Sequence, residues 1–236
     1  MRLNDPELVR RQYESEAGLK VRRDAQLQFR EGPDAFDVAF ELVSQLNPRR
    51  VLEVGCGMGN FAERVARETS AEVVATDLSP RMVELAAARG LDARVADVEE
   101  LPFADGEFDC AVANAMLYHV ADLDRALSEL ARVLEPGGRL IALTIGAEHM
   151  GEVWRLVGYQ RPERPFSREN GAEQLDRHFR RVERNDVDGK LVFPDVVAVH
   201  SYVESTIFGD EIARPLPTFN GPFRASVEAT VFEAER

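Results

Sequence analysis

The chain has 236 residues, of which 44% are hydrophobic and 30% charged, and its formal net charge is −13. This composition is typical of a globular protein with a sizeable core and excludes a disordered chain. The negative charge argues against binding to nucleic acid, whose phosphates require a positive field. No apolar run approaches the roughly 20 residues of a membrane span, and the first residues lack the apolar segment of a secretory signal. Cys56 and Cys110 cannot by themselves form a zinc site. We therefore expect a cytoplasmic enzyme or binding protein without metal, nucleic-acid or membrane partners.

The predicted elements alternate between strand and helix from residue 34 to residue 145. Residues 1–33 are polar and rich in arginine and are expected to form short helices, and periodic apolar residues predict a helix over 34–46. Short apolar runs predict strands at 50–54, 72–76, 92–96, 108–113 and 139–145, with helices starting after Gly59, Ser79 and Asp122 between them. This alternation implies right-handed crossovers and a mostly parallel sheet.

The alternation stops after Gly146. We predict a helix and loop over 147–166, a helix over 167–179, strands over 182–187 and 190–193 joined by a hairpin at Asp188-Gly189, a helix over 194–205, a loop over 209–222 and a final strand over 225–232.

A glycine-rich turn, Gly55-Cys56-Gly57-Met58-Gly59, follows the first predicted strand. Glycine has no side chain and therefore lets the backbone approach a bound ligand closely. The same segment also fits a dinucleotide fingerprint, read from Gly57 through Gly59 to Ala62, or a tight turn without a ligand. The turn indicates a ligand site at the strand–helix junction without selecting the ligand.

Two acidic residues follow the ends of the next two strands. Asp77 lies 22 residues after Gly55, where a carboxylate can accept hydrogen bonds from two ribose hydroxyls. Asp97 could accept from an adenine amino group, although an ordinary loop carboxylate also fits its acidic surroundings. Because the carboxyl ends of parallel strands meet at one edge of a sheet, we expect both carboxylates near the glycine turn.

Five short segments form a combined pattern: Glu53–Gly59, Thr76–Ser79, Ala96–Phe103, Phe108–Val112 with Leu117–Val120, and Leu134–Leu140. Together they resemble the motifs of class I S-adenosylmethionine-dependent methyltransferases, in particular the type 11 methyltransferase domain group. The resemblance is strong over residues 50–145 and excludes a nicotinamide dehydrogenase. It implies an α/β, Rossmann-like fold with a mostly parallel seven-stranded sheet, helices on both faces and an antiparallel C-terminal strand.

The resemblance also implies which residues contact S-adenosylmethionine and its product, S-adenosylhomocysteine. Gly55, Gly57 and Gly59 admit the amino-acid end of the cofactor. The further cofactor contacts it implies are Glu53 and the Cys56 backbone beside that end, Asp77 on the ribose, Leu78 and Met82 on the adenine face, Asp97 and Val98 at the adenine edge, and Asn114 at the methionine moiety.

Methyl transfer is an in-line displacement at a sulfonium, so positioning of the nucleophile supplies much of the rate. An oxygen or nitrogen nucleophile can also need a general base. His119, just after the fourth strand, is the best-placed candidate, and Tyr118 lies beside it. Tyr13 resembles an N-terminal tyrosine that closes over the cofactor in relatives. All three also fit purely structural roles. Asn114–Leu117 lacks the Asn/Asp-Pro-Pro-aromatic motif of enzymes that methylate amino groups of nucleic acids.

We therefore interpret the chain as one methyltransferase domain that acts on the oxygen, nitrogen or carbon of a small molecule, as a monomer or homodimer. Its parts are an N-terminal helical lid segment (1–33), a cofactor-binding core (34–145), a substrate-side insertion (146–222) and a last strand (223–236). The alternative is a protein of this fold that binds the cofactor without catalysis or performs different chemistry. The arginines between Arg155 and Arg184 form either a solvated face or a site for an anionic substrate or carrier protein.

Overall fold

A computed structural model describes residues 4–212 and 215–236, which form an eight-stranded sheet with helices on both faces. The strands are β1 (Arg30–Glu31), β2 (Arg50–Val54), β3 (Glu72–Asp77), β4 (Asp92–Val95), β5 (Phe108–Asn114), β6 (Leu134–Ile145), β7 (Arg181–Phe193) and β8 (Phe223–Glu235). The helices are α1 (Pro6–Gln12), α2 (Ala17–Phe29), α3 (Ala35–Leu46), α4 (Asn60–Glu68), α5 (Pro80–Ala87), α6 (Leu123–Val133), α7 (Gly151–Leu156), α8 (Gly171–Leu175) and α9 (Val196–Glu204), with a 3₁₀ turn at Leu117–His119. Residues 1–3 of the predicted N-terminal segment and residues 213–214 of the predicted loop lie outside the described residues.

Side-chain caps start three of the helices that the sequence predicts. Asp34 accepts from the Phe36 N–H at the start of α3, Ser79 accepts from the Met82 N–H with Pro80 at the first position of α5, and Asp122 accepts from the Arg125 N–H at the start of α6. Each cap satisfies a backbone donor that the helix itself leaves unpaired. Local sequence therefore determines where these helices begin.

The strand order is β1-β7-β8-β6-β5-β2-β3-β4. The strands β4, β3, β2, β5 and β6 pair in parallel, whereas β8, β7 and β1 join the sheet antiparallel. The predicted Rossmann-like, mostly parallel arrangement with an antiparallel C-terminal strand is confirmed. Since β2 lies between β3 and β5, the winding direction reverses beside β2, and the carboxyl ends of these strands border a crevice suited to a ligand.

The sheet has eight strands rather than the predicted seven. Arg30–Glu31 forms the additional strand β1, which pairs antiparallel with Leu191 and Lys190 of β7. A strand of two residues shows no alternation of polar and apolar side chains, so the pattern could not separate it from the N-terminal segment.

The hairpin predicted at Asp188-Gly189 is wrong, because β7 continues through both residues and pairs with β8 along its whole length. A Cβ atom on Gly189 would lie 3.0 Å from the carbonyl oxygen of Glu31. The glycine therefore permits the close approach of β1, which is the other common reason for glycine inside a strand.

The helix predicted over 167–179 is shorter than expected, because α8 contains only Gly171–Leu175. The hydroxyl of Ser167 accepts from the N–H groups of Glu169 and Asn170, at 3.2 and 3.4 Å. The Ser167 carbonyl also accepts from the Gly171 N–H at 2.8 Å, so Ser167 makes the bonds of the predicted cap, and the chain turns from Ser167 before the regular helix α8 begins.

Apolar clusters fill both faces of the central sheet. One includes Leu127 of α6 together with Phe232 of β8, and the other includes Phe40 of α3 together with Phe61 of α4. A third cluster lies where α2, α7 and α9 meet β7 and β8, and it joins the N-terminal segment to the insertion after β6. Over residues 4–212 and 215–236, no helix combines the length and apolarity needed to cross a membrane.

Candidate active site

The glycine turn connects β2 to α4, and Gly55, Gly57 and Gly59 have φ angles of 63°, 53° and 76°. A Cβ atom on Gly55 would lie 2.8 Å from Cγ of Met116, and one on Gly59 would lie 2.8 Å from Cβ of Ala86. Residues with side chains rarely adopt such φ angles, and these two positions also have no space for one. The turn is therefore packed closely against the segment after β5 and against α5.

The backbone of Cys56 holds this turn in place. Its N–H donates to the carbonyl of Thr76 in β3 at 2.9 Å, and its own carbonyl accepts from the Gly59 N–H at 3.0 Å. Burial raises the pKa of the Cys56 thiol above its usual value, so the side chain stays protonated. Cys56 is thus a small packing residue whose backbone shapes the turn.

Asp77 lies at the end of β3, directly beside the glycine turn. Its Oδ2 accepts from the Gly57 N–H and its Oδ1 accepts from the Ser79 N–H, both at 2.9 Å. Burial raises the pKa of the Asp77 carboxyl, and the N–H groups of Ser79, Gly57 and Leu78 act in the opposite direction. The carboxylate thereby joins the glycine turn to the start of α5.

The two apolar residues predicted to pack on the adenine differ in exposure. Leu78 is 51% exposed, which is unusual for a large apolar side chain and leaves a surface free for a ligand. Met82 is completely buried within α5. Contact between Met82 and a ligand would require movement of the residues that cover it.

A buried polar pair lies beneath the glycine turn. Glu53 of β2 is 2% exposed, Asn114 at the end of β5 is 8% exposed, and Asn114 Nδ2 donates to Glu53 Oε1 at 3.4 Å. Among the described residues, Glu53 Oε2 and Asn114 Oδ1 have no hydrogen-bond partner. Leaving a buried acceptor unpaired costs about 1–3 kcal/mol. The pair is therefore suited to a ligand that brings hydrogen-bond donors.

Burial raises the pKa of Glu53 from 4.5 to about 8, and the negative charge of Asp77 adds to this shift. The side chain of Asn114 and the backbone of Ala62 act on this pKa in the opposite direction. A cationic group placed against Glu53 would favour its ionised form and relieve the cost of burial. We call Glu53, Asp77 and Asn114 the acidic flank of the site.

Asp97 lies just beyond β4 and is exposed. Its Oδ1 accepts from the Glu99 N–H at 2.9 Å, and its carbonyl accepts from the Glu100 N–H at 3.0 Å. Val98, the next residue, is buried. Asp97 therefore shapes a tight turn at the same edge of the sheet, and its role toward adenine stays a prediction.

The structure brings the three predicted catalytic residues together, although Tyr13 is 106 residues from His119. The Tyr13 hydroxyl lies 3.2 Å from His119 Nε2, and the Tyr118 ring meets the His119 ring edge-on at 4.6 Å between centres. Burial raises the pKa of both tyrosines, which keeps their hydroxyls protonated. His119 thus has a hydroxyl beside its ring at the mouth of β5.

The N-terminal helices lie over the glycine turn and the start of α5. The Tyr13 carbonyl accepts from the Ser79 hydroxyl at 2.9 Å, and Glu16 pairs with Arg81 at 3.1 Å. A Cβ atom on Gly57 would lie 3.3 Å from the side chain of Leu19. Residues 13–19 therefore cover the turn, in the place where a lid was predicted.

Two residues near Tyr118 were not predicted from the sequence, namely Arg22 of α2 and Tyr202 of α9. Both influence the pKa of Tyr118, as does Arg164, whose guanidinium lies 5.9 Å from the centre of the Tyr118 ring. No sequence signal connects these segments, because only the third apolar cluster brings α2, α9 and the insertion together. Arg22, Arg161 and Arg164 form what we call the basic flank.

Known proteins resemble this chain in sequence and in fold. Residues 52–142 match a family profile described as a methyltransferase domain. The chain is 41% identical over 112 residues to a demethylmenaquinone methyltransferase of Thermus thermophilus, covering 44% of this chain and 51% of the relative. It is 36% identical over 158 residues to a malonyl-[acyl-carrier protein] O-methyltransferase of Pectobacterium atrosepticum, covering 64% of this chain and 60% of the relative. The chain thus spans 51% and 60% of the length of these curated relatives.

A solved structure from Thermotoga maritima, described as a SAM-dependent methyltransferase and possible histamine N-methyltransferase, superimposes with a TM-score of 0.62. It is 22% identical, and the match covers 95% of this chain and 98% of that chain. At this identity the likeness shows a shared fold. The match to a family of methyltransferase domains thus covers residues 52–142, and the fold is one that this solved structure shares.

Proposed function

We propose that the chain binds S-adenosylmethionine and transfers its methyl group to a small-molecule acceptor. The observation that supports this most directly is the buried Glu53–Asn114 pair, which has two acceptor atoms without partners beneath the glycine turn. The amino-acid end of the cofactor carries an ammonium group, whose N–H donors and positive charge match these acceptors.

The remaining groups at the crevice fit the rest of the cofactor. Asp77 is held at the end of β3 by two backbone N–H groups, which fixes its carboxylate where ribose hydroxyls can donate to it. The exposed face of Leu78 offers an apolar surface for the adenine, and Asp97 and Val98 lie at the same edge of the sheet. When bound, the cofactor supplies an electrophilic methyl group on a positively charged sulfur.

The contribution of the protein is to position the acceptor and to exclude water. Residues 13–19 cover the glycine turn, so the N-terminal segment is the proposed lid. His119 is the proposed proton acceptor for an oxygen or nitrogen nucleophile, and the Tyr13 hydroxyl, 3.2 Å away, orients its ring. Tyr118 borders the space in which the acceptor would lie.

The names of the relatives support a small-molecule acceptor, because both describe biosynthetic methyltransferases, one acting on demethylmenaquinone and one on a carrier-bound malonyl group. We propose a monomer or homodimer that acts on such a molecule rather than on nucleic acid, in agreement with the net charge of −13.

The test is calorimetry with S-adenosylmethionine and S-adenosylhomocysteine, followed by a methyl-transfer assay on a panel of small hydroxy, amino and carbon acids. We expect dissociation constants of roughly micromolar size and transfer to at least one acceptor. Binding without transfer to any acceptor would favour the alternative, a non-catalytic protein or one with different chemistry. Absence of binding to either compound would contradict the proposal.

A further inference from the structure

The basic flank combines charges from separate parts of the chain. Arg22 comes from α2, whereas Arg161 and Arg164 come from the segment between α7 and α8. The positive charges of all three act on the hydroxyl of Tyr202, lowering its pKa against the larger raising effect of burial. Arg30, which is paired with Asp34, acts on the same hydroxyl, and Tyr202 is 6% exposed.

These arginines have no ionic partner among the described residues, since no carboxylate lies within 4.0 Å of their guanidinium nitrogens. They donate instead to backbone carbonyls: Arg22 to Ser205, Arg161 to Ala147, and Arg164 to Gly146 at 3.3 Å. A neutral carbonyl satisfies a donor but leaves the positive charge uncompensated.

Several other half-buried arginines are paired with carboxylates, although Arg236 donates to the carbonyl of Leu134. Arg132 lies 2.7 Å from Glu129, Arg139 lies 3.2 Å from Glu233, and each contacts a second carboxylate. The chain contains 42 acidic and 29 basic residues. In a protein with this excess of carboxylates, three neighbouring arginines without one are a specific feature of the site.

Two arginines of the flank, Arg161 and Arg164, have a lowered pKa. Burial lowers the pKa of Arg161 to about 10, and the positive charge of Arg164 contributes to that change. Burial also lowers the pKa of Arg164. Two of the acidic groups that act on the pair from farther away have other partners: Glu148 pairs with Arg155 at 2.8 Å, and Glu169 accepts from the Ala147 N–H at 3.0 Å. The carboxylate of Glu228 also raises the pKa of Arg161 from a distance.

The flank lies on the acceptor side of the proposed methyl-transfer site. The guanidinium of Arg164 is 5.9 Å from the centre of the Tyr118 ring, and that ring contacts the ring of His119. A molecule that places its nucleophile beside His119 can therefore extend past Tyr118 toward Arg161 and Arg164. Guanidinium groups bind planar oxyanions through paired, charge-assisted hydrogen bonds.

We propose that Arg161 and Arg164, together with Arg22 of α2, bind an anionic group of the methyl acceptor, so that the acceptor is a carboxylic acid or a phosphate ester. This inference rests on the proposed methyltransferase function, because that function is what makes the bound anion part of a methyl acceptor. The binding of an oxyanion by the arginines can be measured independently of that function.

The experiment titrates wild-type protein with malonate, inorganic phosphate and neutral malonamide at constant ionic strength, with and without saturating S-adenosylhomocysteine. We expect at least one oxyanion to bind and malonamide not to bind. Stronger binding of malonate would assign the site to carboxylates, and stronger binding of phosphate would assign it to phosphate esters. Failure of both oxyanions to bind would overturn the proposal.

Arg161→Gln and Arg164→Gln remove one charge each and should weaken oxyanion binding about ten- to a hundredfold. The matched control is Arg155→Gln, which removes an exposed arginine of the same segment that is paired with Glu148, and it should bind like the wild type. Arg164→Lys keeps the charge without the paired geometry and should lie between them. Circular dichroism confirms folding, and Arg164→Lys preserves the test if a glutamine variant fails to fold.

The affinity for S-adenosylhomocysteine separates the two proposals. It should be the same in wild type and in all arginine variants. Loss of cofactor affinity in Arg161→Gln or Arg164→Gln would show that these arginines bind the cofactor's own carboxylate, which contradicts the acceptor subsite. Oxyanion binding by a wild type that binds no S-adenosylhomocysteine would instead contradict the proposed function and leave the anion subsite in place.

Discussion

The two flanks of the site differ in charge and in how the chain builds them. The acidic flank comes from Glu53 inside β2 and from the last residues of β3 and β5, neighbouring strands of one sheet. The basic flank comes from α2 and from the insertion after β6, and its arginines are held by carbonyls of three further residues. Sheet hydrogen bonding fixes the first flank, whereas helix and loop packing fixes the second.

In the protein without a ligand, burial disfavours the charged groups of both flanks, which are negative on one flank and positive on the other. Burial raises the pKa of Glu53 to about 8 and lowers that of Arg161 to about 10. In each case burial disfavours the charged form, and a ligand of opposite charge would relieve it. One crevice thus combines a buried carboxyl at the sheet with buried guanidinium groups at the insertion.

The largest effect is expected for Asp77→Ala, which removes the carboxylate that accepts from Gly57 and Ser79. Affinity for S-adenosylhomocysteine should fall by about 1–3 kcal/mol, or roughly 5- to 150-fold, while oxyanion binding by the basic flank stays unchanged. Calorimetry with both ligands measures this. Asp92→Ala, which removes an exposed carboxylate paired with Arg94, is the control. Equal losses at both flanks would show that the flanks are not independent.

Glu53→Gln tests how much free energy of unfolding is lost when the buried carboxyl of Glu53 ionises. The pKa of Glu53 is about 8 in the folded protein and ordinarily 4.5. Between pH 4.5 and pH 8 the folded state therefore keeps a proton on Glu53 that the unfolded state has lost. The contribution of Glu53 to the free energy of unfolding therefore decreases as pH rises from about 4.5 to about 8. Relative to wild type, the variant should gain about 3 kcal/mol in that free energy between pH 6 and pH 9, since about two pH units separate pH 6 from the folded pKa. Urea titrations at both values measure it, and parallel pH profiles would contradict the assigned burial cost.

Tyr13→Phe tests the contact between the lid and the acceptor side. Removing the hydroxyl that lies 3.2 Å from His119 Nε2 should lower kcat roughly 3- to 10-fold and leave cofactor affinity nearly unchanged, because the backbone contact with Ser79 remains. Steady-state kinetics and calorimetry separate the two effects. Tyr159→Phe is the control, since its hydroxyl contacts Glu211 rather than His119. An equal loss of kcat in Tyr13→Phe and Tyr159→Phe would show that Tyr13 contributes through packing alone.

The smallest effect is expected at Asp97, which is exposed. Asp97→Asn retains the size and one acceptor oxygen, so cofactor affinity should fall by less than in Asp97→Ala, where we expect about a 2- to 10-fold loss. Calorimetry with S-adenosylhomocysteine distinguishes the variants. Wild-type affinity in both would make Asp97 a turn residue, with its bond to the Glu99 N–H as its role.

Much of the cofactor half could be predicted because its signals are local. The glycine turn, Asp77 and Asn114 each follow a short strand, and parallel strands place their carboxyl ends at one edge. Failures occurred where a local signal had two physical explanations. Asp188-Gly189 resembled a hairpin turn, yet Gly189 serves the close approach of β1. Ser167 makes the bonds of the predicted cap, yet the regular helix that follows contains only Gly171–Leu175.

Local patterns therefore predict the alternating core, the starts of α3, α5 and α6 and the position of Asp77, because capping and strand alternation act over a few residues, whereas Glu53 and Asn114 followed from the family resemblance. The contact of Tyr13 with His119, the pairing of β1 that completes the eight-stranded sheet and the effect of Arg22 on Tyr202 became visible in the folded chain alone. These contacts depend on the apolar cluster that packs α2, α7 and α9 against β7 and β8. No short-range pattern encodes such packing, because it arises from side chains that are distant in the chain and buried together.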